Sequence, residues 1–278
     1  MTPMDPILVA YDGSVNAQRA AALARSVASV SGAHTILAWA VAPSDLAWEL
    51  NADNYARVTR EGTAMLAAEA SKFSTPVSTR LLDGESGSAL IAAAEESRAG
   101  LVLLGTRGRG RLEALLLGSV TRQLMEGCSR PTLAVHDRSS IGKIVAAVDR
   151  GENAPTVVKI AATLAQATGA QLILATAINV DRAVVERPTS FGLPAELWAD
   201  AVKLYADRCF GPLREHAPGA VERVLYGEPT DELTRLMKLE SADLLVAGRR
   251  GASGAAPGDW YSVVTGLAAS GPHSTLAV

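Results

Sequence analysis

The sequence predicts two α/β domains in tandem, each with a five-stranded parallel sheet and helices on both faces. Two observations support this fold class. A set of short apolar segments recurs in the second half of the chain, and within each copy these segments alternate with stretches that carry helix signals. The 278 residues are also enough for two domains of ordinary size.

The first part of each copy repeats at one fixed spacing. The segment 7–12, which reads Ile-Leu-Val-Ala-Tyr-Asp, reappears as the similar segment 144–149. The segment 33–41 matches 170–178 at the same spacing. Repetition at one spacing over two separate segments indicates duplication of a whole domain.

The later part of each copy repeats at a slightly longer spacing, because Gly84 and Glu85 match Gly227 and Glu228. The second copy therefore carries six extra residues in its middle. Each copy closes on the same Thr-Leu-Ala-Val segment, and a short polar linker follows the first of these. We expect domain 1 to span residues 1–138 and domain 2 to span residues 141–278.

The first copy is expected to contain five strands in alternation with four helices. Apolar runs between turn residues predict the strands, and a continuous run such as Leu101–Leu104 suits a strand covered on both faces. Ser14 and Gly32 are residues that cap the two ends of a helix. The predicted strands are 6–11, 34–41, 77–82, 101–104 and 132–136, and the predicted helices are 15–31, 54–72, 86–98 and 119–129.

The second copy is expected to repeat this order. Asn153 is a suitable cap for its first helix, and Pro155 lies in the first turn, where the missing N–H costs little. Segments 43–53 and 180–193 are predicted to be irregular loops. The predicted strands are 143–148, 171–178, 221–226, 244–247 and 275–278.

Charge and composition exclude several classes of function. A net charge of −3 gives no general attraction for nucleic acid or an acidic membrane surface. The N-terminus lacks a secretion signal, and the apolar runs are too short to cross a bilayer. The two cysteines, Cys128 and Cys209, are far apart, and the four histidines lack metal-ligand spacing. We expect a cytoplasmic protein without a disulfide or a protein-held metal, and Cys128 as a small apolar core residue.

A glycine-rich segment after the fourth predicted strand carries the strongest chemical signal. Gly105-Thr106-Arg107-Gly108 is followed by nine residues and then by Gly118-Ser119-Val120. Glycines allow positive φ and close approach of the main chain to an anion, and the first N–H groups of a helix attract negative charge. Arg107 offers a planar fork of donors for phosphate, and Ser119 is placed to cap the helix or to bond a phosphate.

The end of the first strand supplies the second half of the predicted site. Asp12 can accept hydrogen bonds from ribose hydroxyls or hold a metal through water, Gly13 opens the turn, and Ser14 begins a helix. Helix capping alone also explains Asp12 and Ser14. The glycine segment at the same predicted sheet edge favours a ligand site, since open α/β sheets bind ligands at their carboxyl edge.

This combination of motifs resembles the universal stress protein family over nearly the whole chain. The resemblance implies Rossmann-like domains of strand order 3-2-1-4-5, with ATP bound between the first and fourth strands. Tandem members of the family pack as an internal pseudo-dimer through their last strands, here 132–136 and 275–278, and a homodimer is a further expectation. The implied ATP site has Asp12 at the ribose, Ala40 at the adenine, and Gly13, Ser14, Leu104, Gly105, Arg107, Gly108, Gly118, Ser119 and Val120 around the ribose and phosphates, with Mg²⁺ held through the phosphates.

The second copy departs from this motif at two points. Tyr261 stands where the third glycine is expected, and Asp149-Arg150-Gly151 replaces Asp-Gly-Ser. A tyrosine there would fill phosphate space, and its main chain would resist positive φ. A second, weakened site would comprise Asp149, Gly248, Arg250, Gly251 and Ser262, although these glycines also suit an ordinary loop.

Three functions follow as hypotheses. The first is an ATP-binding regulator of a stress response, with binding mainly in domain 1 and no rapid turnover. The second is a slow ATPase or phosphotransferase, with Ser119 self-phosphorylated and Mg²⁺ bridging the phosphates to Asp12. The third is an interaction scaffold without nucleotide. No P-loop motif or dinucleotide-binding motif occurs. Trp39 is a candidate for the adenine pocket or for the core, and Glu85 and Glu228 suit helix N-termini.

Overall fold

The computed structural model describes residues 4–41, 52–106, 118–136, 140–192, 194–249 and 273–278. The chain divides into two compact units. The first comprises residues 1–140 with 268–277, and the second comprises residues 141–267 with Val278. Each unit is a layered α/β structure, as the sequence predicts.

The first unit contains a parallel sheet in the order β3-β2-β1-β4-β5. This is the strand order that the family resemblance implies. The unit also contains the last strand of the chain, β10 (Ser274–Ala277), which pairs antiparallel with β5 through Leu276 opposite Leu133. Its other strands are β1 (Ile7–Ala10), β2 (Thr35–Val41), β3 (Val77–Asp83), β4 (Leu101–Gly105) and β5 (Thr132–Val135).

Four helices cover the two faces of this sheet. They are α1 (Val15–Ser31), α2 (Ala52–Ala70), α3 (Ser86–Glu96) and α4 (Ser119–Gly127). Helix α1 begins where Ser14 Oγ accepts the N–H of Ala17 at 3.2 Å, and it ends at Gly32, whose φ of 70° suits glycine. Both predicted caps are therefore confirmed.

The packing of the first unit distinguishes the positions of Cys128 and Trp39. One buried cluster joins the strands to α3 and α4, and Cys128 lies in it beside Leu124. Cys128 is thus an apolar core residue, as predicted. Trp39 packs on α2 instead, because a Cβ added to Gly62 would lie 1.7 Å from its ring. Trp39 is half-buried, and its contact with α2 favours the packing interpretation.

The second unit repeats the arrangement with strands in the order β9-β6-β7-β8. The main chain of Val278 extends this pattern, since its N–H donates to Ala247 O at 2.9 Å. The strands are β6 (Lys143–Ala147), β7 (Gln171–Ile178), β8 (Val221–Tyr226) and β9 (Leu244–Ala247), and the helices are α5 (Ala154–Thr168), α6 (Arg182–Glu186), α7 (Ala195–Phe210) and α8 (Pro229–Leu239).

The predicted strands are confirmed to within one residue at each end. The irregular loop predicted at 180–193 is wrong, because it contains α6 and a 3₁₀ turn at Pro188–Phe191. Asp181 explains α6, since its carboxylate accepts the N–H of Ala183 at 2.8 Å. Most of segment 43–53 lies outside the described residues, but its last two residues begin α2.

Several helix ends differ in detail from the prediction. Helix α2 begins and ends two residues earlier than predicted. Helix α3 ends at Glu96 rather than 98, because Arg98 adopts a positive φ of 52°, and α4 ends at Gly127 rather than 129. Asn153 occupies the cap position of α5, but its side chain makes no capping hydrogen bond. No described helix has both the length and the apolar character needed to cross a membrane.

Candidate functional site

The register of the strands brings the predicted site residues of the first unit to one level of the sheet. Ala10 of β1 lies opposite Ala38 of β2 and opposite Leu104 of β4. Two residues further along each parallel chain come Asp12, Ala40 and Thr106. The chain leaves β1 toward β2 and leaves β4 toward β5, in opposite directions along the sheet. The edge between β1 and β4 is therefore the switch point where open α/β sheets bind ligands.

The turn after β1 presents Asp12 in a fixed conformation. The Tyr11 N–H donates to Ala38 O at 2.8 Å, which extends the ladder one residue beyond β1. Gly13 has a φ of 77°, a value that glycine adopts without strain. The Ser14 N–H then donates to Asp12 Oδ1 at 2.9 Å. Only one carboxylate oxygen of Asp12 takes part in this bond, and the residue is half-buried.

Gly105 is required by the packing of helix α1. A Cβ at this position would lie 2.6 Å from Asn16 Cβ, 2.7 Å from the Asn16 carbonyl carbon and 3.0 Å from Ala17 N. Gly105 does not have a positive φ. The close approach of β4 to the first turn of α1 therefore explains this glycine, and it also brings the Asp12 turn next to the end of β4.

Hydrogen bonds close the base of the segment 107–117. The Gly118 N–H donates to Thr106 O at 3.0 Å, and the Thr121 hydroxyl donates to Gly105 O at 2.9 Å. The Thr106 N–H is itself bound to Val135 O at 3.1 Å. These bonds fix both ends of the glycine-rich segment at the sheet edge. The predicted phosphate ligands Arg107 and Gly108 lie outside the described residues.

The start of helix α4 differs from the prediction in two respects. Gly118 is the N-cap, with φ of −60° and ψ of 151°, and Ser119 is the first, exposed residue of the helix. The prediction that Ser119 caps the helix is therefore wrong. The expectation of positive φ at the third glycine is also wrong, because the negative φ of Gly118 is one that any residue adopts. A glycine N-cap instead leaves the first N–H groups of α4 uncovered by a capping side chain.

The described residues fit an anionic ligand with hydroxyl groups. The helix N-terminus favours negative charge, and the Asp12 carboxylate accepts hydrogen bonds. The side chains of Ala40 and Leu104 are buried, at 6% and 2% exposure, so these residues would offer only their main chain. Val120 packs partly into the core below the site.

The corresponding turn of the second unit has a different shape. The Gly151 N–H donates to Asp149 Oδ1 at 2.7 Å, which preserves the bond seen at Asp12. Arg150 replaces Gly13, does not have a positive φ, and places its guanidinium 5.5 Å from the ring centre of Tyr205. Helix α5 begins only at Ala154, so six residues follow β6 where four follow β1.

Little else of the second predicted site is described. Gly248 directly follows β9, and the next residue, Arg249, donates its N–H to Val278 O at 2.8 Å. This bond corresponds to the one between Thr106 and Val135 in the first unit. Arg250, Gly251 and Ser262 lie outside the described residues, as does Tyr261.

A buried polar network behind the first turn was missed at the sequence level. The Tyr11 hydroxyl donates to Glu69 at 2.8 Å, and Lys72 Nζ donates to the same carboxylate at 2.8 Å. Arg25 forms a further ion pair with Glu69, whose side chain is 2% exposed. Tyr11 and Glu69 are 58 residues apart, and no local sequence pattern links them.

The pKa values of this network follow from its burial and its hydrogen bonds. Burial, followed by the hydrogen bond to Glu69, raises the pKa of the Tyr11 hydroxyl above its ordinary value. Burial alone would raise the pKa of Glu69, but hydrogen bonds from Lys72, Tyr11 and Arg25 outweigh it and lower that pKa. Glu69 therefore remains ionised in the folded protein at neutral pH.

The recurring glutamates lie at the starts of two helices, and of the two only Glu228 makes a side-chain capping hydrogen bond. Glu85 and Glu228 are the N-cap residues of α3 and α8, and Glu228 accepts the N–H of Asp231 at 2.9 Å. Gly84 and Gly227 before them have φ of 117° and 129°, which explains why the pair recurs as Gly-Glu. Among the described residues, no cluster of three or more His, Cys, Asp or Glu side chains has the arrangement of a metal site.

The layers and the strand order define a class of protein, namely two Rossmann-like α/β domains in tandem. The model of the universal stress protein family matches residues 4–136 and again residues 140–278. The chain therefore belongs to the universal stress protein family, as a tandem member.

Known relatives agree with this assignment. A universal stress protein of Thermus aquaticus, named for the 3′ region of a QAH/OAS sulfhydrylase gene, is 33% identical over 132 residues, which are 46% of this chain and 96% of that protein. A putative universal stress protein of Pseudomonas aeruginosa aligns with a TM-score of 0.68 and 22% identity over 99% of this chain and 93% of its own. A universal stress protein of Archaeoglobus fulgidus aligns with a TM-score of 0.65 and 15% identity, over 99% and 96%. The two structures support the fold alone.

Proposed function

We propose that this protein is a cytoplasmic regulator of a stress response that binds ATP, mainly in domain 1 (residues 1–138). Domain 2 (residues 141–278) would contribute an altered site of lower affinity. Occupancy by the nucleotide would change which partners the protein binds, and rapid catalytic turnover is not part of the proposal. Cys128 and Cys209 are buried and do not form a disulfide, which is consistent with a reducing compartment.

One observation carries this proposal. The Asp12 turn and the base of the glycine-rich segment meet at the same edge, between β1 and β4, because Ala10 and Leu104 are in register. A carboxylate suited to ribose hydroxyls thus lies across from a helix N-terminus suited to phosphate. The family resemblance assigns the adenine to the main chain near Ala40.

The proposed contacts divide by chemistry. Asp12 would accept hydrogen bonds from the ribose, and Gly13 and Ser14 would shape the turn beside it. The N–H groups at the start of α4, from Gly118, Ser119 and Val120, would face the phosphates together with Arg107 and Gly108. Mg²⁺ would be held by the phosphates and, through water, by Asp12.

Calorimetric titration with ATP tests this assignment. Gly118→Tyr places the residue of the second copy, Tyr261, into the first, and the φ of −60° at Gly118 tolerates it. We expect the wild-type protein to bind and Gly118→Tyr to lose binding by at least tenfold, because the ring fills the phosphate space. Gly211→Tyr is the matched control, since its Cβ meets open space. Equal ATP binding by wild type and Gly118→Tyr would exclude this site.

A second experiment separates binding from chemistry. Ser119 is exposed at the start of α4, where self-phosphorylation has access to its hydroxyl. Mass spectrometry after incubation with Mg-ATP would reveal a phosphate on Ser119, and an ADP assay would reveal hydrolysis. An unmodified chain and unconsumed ATP support binding alone. A wild-type protein that binds no nucleotide would instead support a scaffold.

A further inference from the structure

The buried network of Tyr11, Arg25, Glu69 and Lys72 calls for an explanation beyond folding. It joins the end of β1, helix α1 and helix α2 through one carboxylate that is 2% exposed. Arg25 is also stacked over the ring of Phe73 at 5.5 Å. Removing charged groups from water is costly, and apolar side chains of similar volume usually stabilise a core equally well.

The second copy folds without this network. Gly32 ends α1 and Gly169 ends α5, and these two residues are separated by the spacing of the first repeated segments. The first residues of α2 and α7 are separated by the longer spacing of the later segments. These two spacings place Val148 at the position of Tyr11, Ala162 at that of Arg25 and Pro212 at that of Glu69. The fold therefore does not require the network, which accompanies the copy with the intact Asp-Gly-Ser turn.

The network acts on the residue that precedes Asp12. Tyr11 is fixed at its main chain by Ala38 O and at its hydroxyl by Glu69 Oε2, at 2.8 Å each. On the other side, Gly13 follows Asp12 with a φ of 77°, and the Ser14 N–H donates to Asp12 Oδ1 at 2.9 Å. Asp12 is joined directly to the anchored Tyr11, so the direction in which its main chain leaves β1 depends on the anchor.

We propose that Tyr11 and Glu69 are positioning residues for the nucleotide site of domain 1. Their hydrogen bond holds the Asp12 carboxylate at the place where it meets the ribose, and Arg25 and Lys72 hold Glu69. This inference rests on the proposed ATP site. It adds to that proposal a set of residues that never touch the ligand and yet set its affinity.

Three variants test the role of this hydrogen bond by calorimetric titration with ATP. Tyr11→Phe removes only the hydroxyl, and we expect binding to weaken roughly 5–10-fold, the effect of one hydrogen bond. Glu69→Leu removes the same bond from the other side together with the ion pairs to Arg25 and Lys72, so we expect binding at least as weak as in Tyr11→Phe. Glu69→Gln keeps an acceptor for the Tyr11 hydroxyl, so we expect affinity within about threefold of wild type.

Two comparisons distinguish positioning from a general loss of stability. In an Asp12→Asn background, Tyr11→Phe should cost less than about twofold more, because it acts through Asp12. Glu95→Gln is the control. Glu95 of α3 accepts a hydrogen bond from Arg130 at 2.9 Å, and Arg130 lies just before β5, at the edge of the sheet opposite to the Asp12 turn. The ATP affinity of Glu95→Gln should equal that of wild type.

The possible results separate the two proposals. Wild-type binding together with unchanged affinity in Tyr11→Phe overturns the positioning role and leaves the ATP site standing. An equal loss in Tyr11→Phe with and without Asp12→Asn, or a matching loss in Glu95→Gln, also overturns it. A wild-type protein that binds no ATP overturns the proposed function and this inference together.

Discussion

At the scale of single residues, the glycines of the predicted site have different structural roles. Gly13 has a φ of 77°, whereas Gly105 is needed because β4 touches the first turn of α1. Gly118 has ordinary backbone angles and is the N-cap of α4. The motif predicted that these residues meet at one edge of the sheet, but the reason for Gly105 depends on α1, which is distant in sequence.

Gly105 provides the first prediction. Gly105→Ala places a methyl group 2.6–3.0 Å from Asn16 and Ala17, two of these contacts being with main-chain atoms that move only if α1 moves. We expect a loss of about 2 kcal/mol in the free energy of unfolding. Chemical denaturation measures it, with Gly211→Ala as the control because its Cβ meets open space. Equal stability of the two variants would contradict the packing explanation.

Glu69 provides a pH-dependent prediction. Its folded pKa lies below the ordinary value of 4.5, so it stabilises the fold above that pH, and the contribution is lost as the pH falls through the folded pKa. We expect Glu69→Gln to cost about 2 kcal/mol at neutral pH and progressively less below pH 4.5. Urea unfolding at several pH values measures this gap.

The control for Glu69 lies on the same helix. Glu61 forms an exposed pair with Arg57, at 63% exposure of its side chain, so Glu61→Gln should leave stability nearly unchanged at every pH. A gap for Glu69→Gln that stays constant with pH would mean that the charge of Glu69 does not stabilise the fold.

At the scale of elements, local signals were sufficient for the strands and insufficient for the contacts between helix and sheet. Apolar runs and the caps Ser14 and Gly32 predicted β1 to α1 correctly. The buried network behind Tyr11 could not be predicted, because its members come from three elements whose packing no local pattern records. Helix α6 was missed because it is only five residues long and has no apolar periodicity.

One contact between a strand and a helix is made by different types of residue in the two copies. In the first, Trp39 of β2 packs on Gly62 of α2. In the second, the residues at the same spacings are Thr176 of β7 and Tyr205 of α7, whose side chains lie close together. In the first copy a large strand residue faces a small helix residue, and in the second copy a small strand residue faces a large helix residue. Each pair thus fills the space between the layers.

This exchange predicts non-additive mutations. Gly62→Tyr alone should clash with Trp39, and Trp39→Thr alone should leave a cavity, each costing about 3 kcal/mol. The double variant copies the second unit and should cost at least about 1 kcal/mol less than the sum. A double-mutant cycle by chemical denaturation measures the coupling. Additive losses would show that the two pairs are not interchangeable.

At the scale of the whole chain, duplication preserved the register of the strands and changed the turns that follow them. Ala10 lies opposite Ala38 and Leu104, and the equivalent Ala147 lies opposite Ala175 and Ala247. The two sheets therefore share their register up to the carboxyl edge. Beyond it, Arg150 and a helix that begins two residues later replace the Gly13 turn. The repeat spacing predicted the shared strand register, whereas the longer turn after β6 depends on where α5 begins.

This asymmetry predicts the stoichiometry of binding. If the altered turn and Tyr261 lower the affinity of the second site, calorimetric titration of the full chain should reveal one strong ATP site per chain. Restoring the motif in the second copy with Arg150→Gly and Tyr261→Gly should strengthen binding there only in part, because the turn after β6 keeps its two extra residues. Adding Gly118→Tyr to that variant isolates the second site. Two equally strong sites in the wild-type chain would contradict the division of roles between the domains, because the Asp149 turn would then serve ATP as well as the Asp12 turn does.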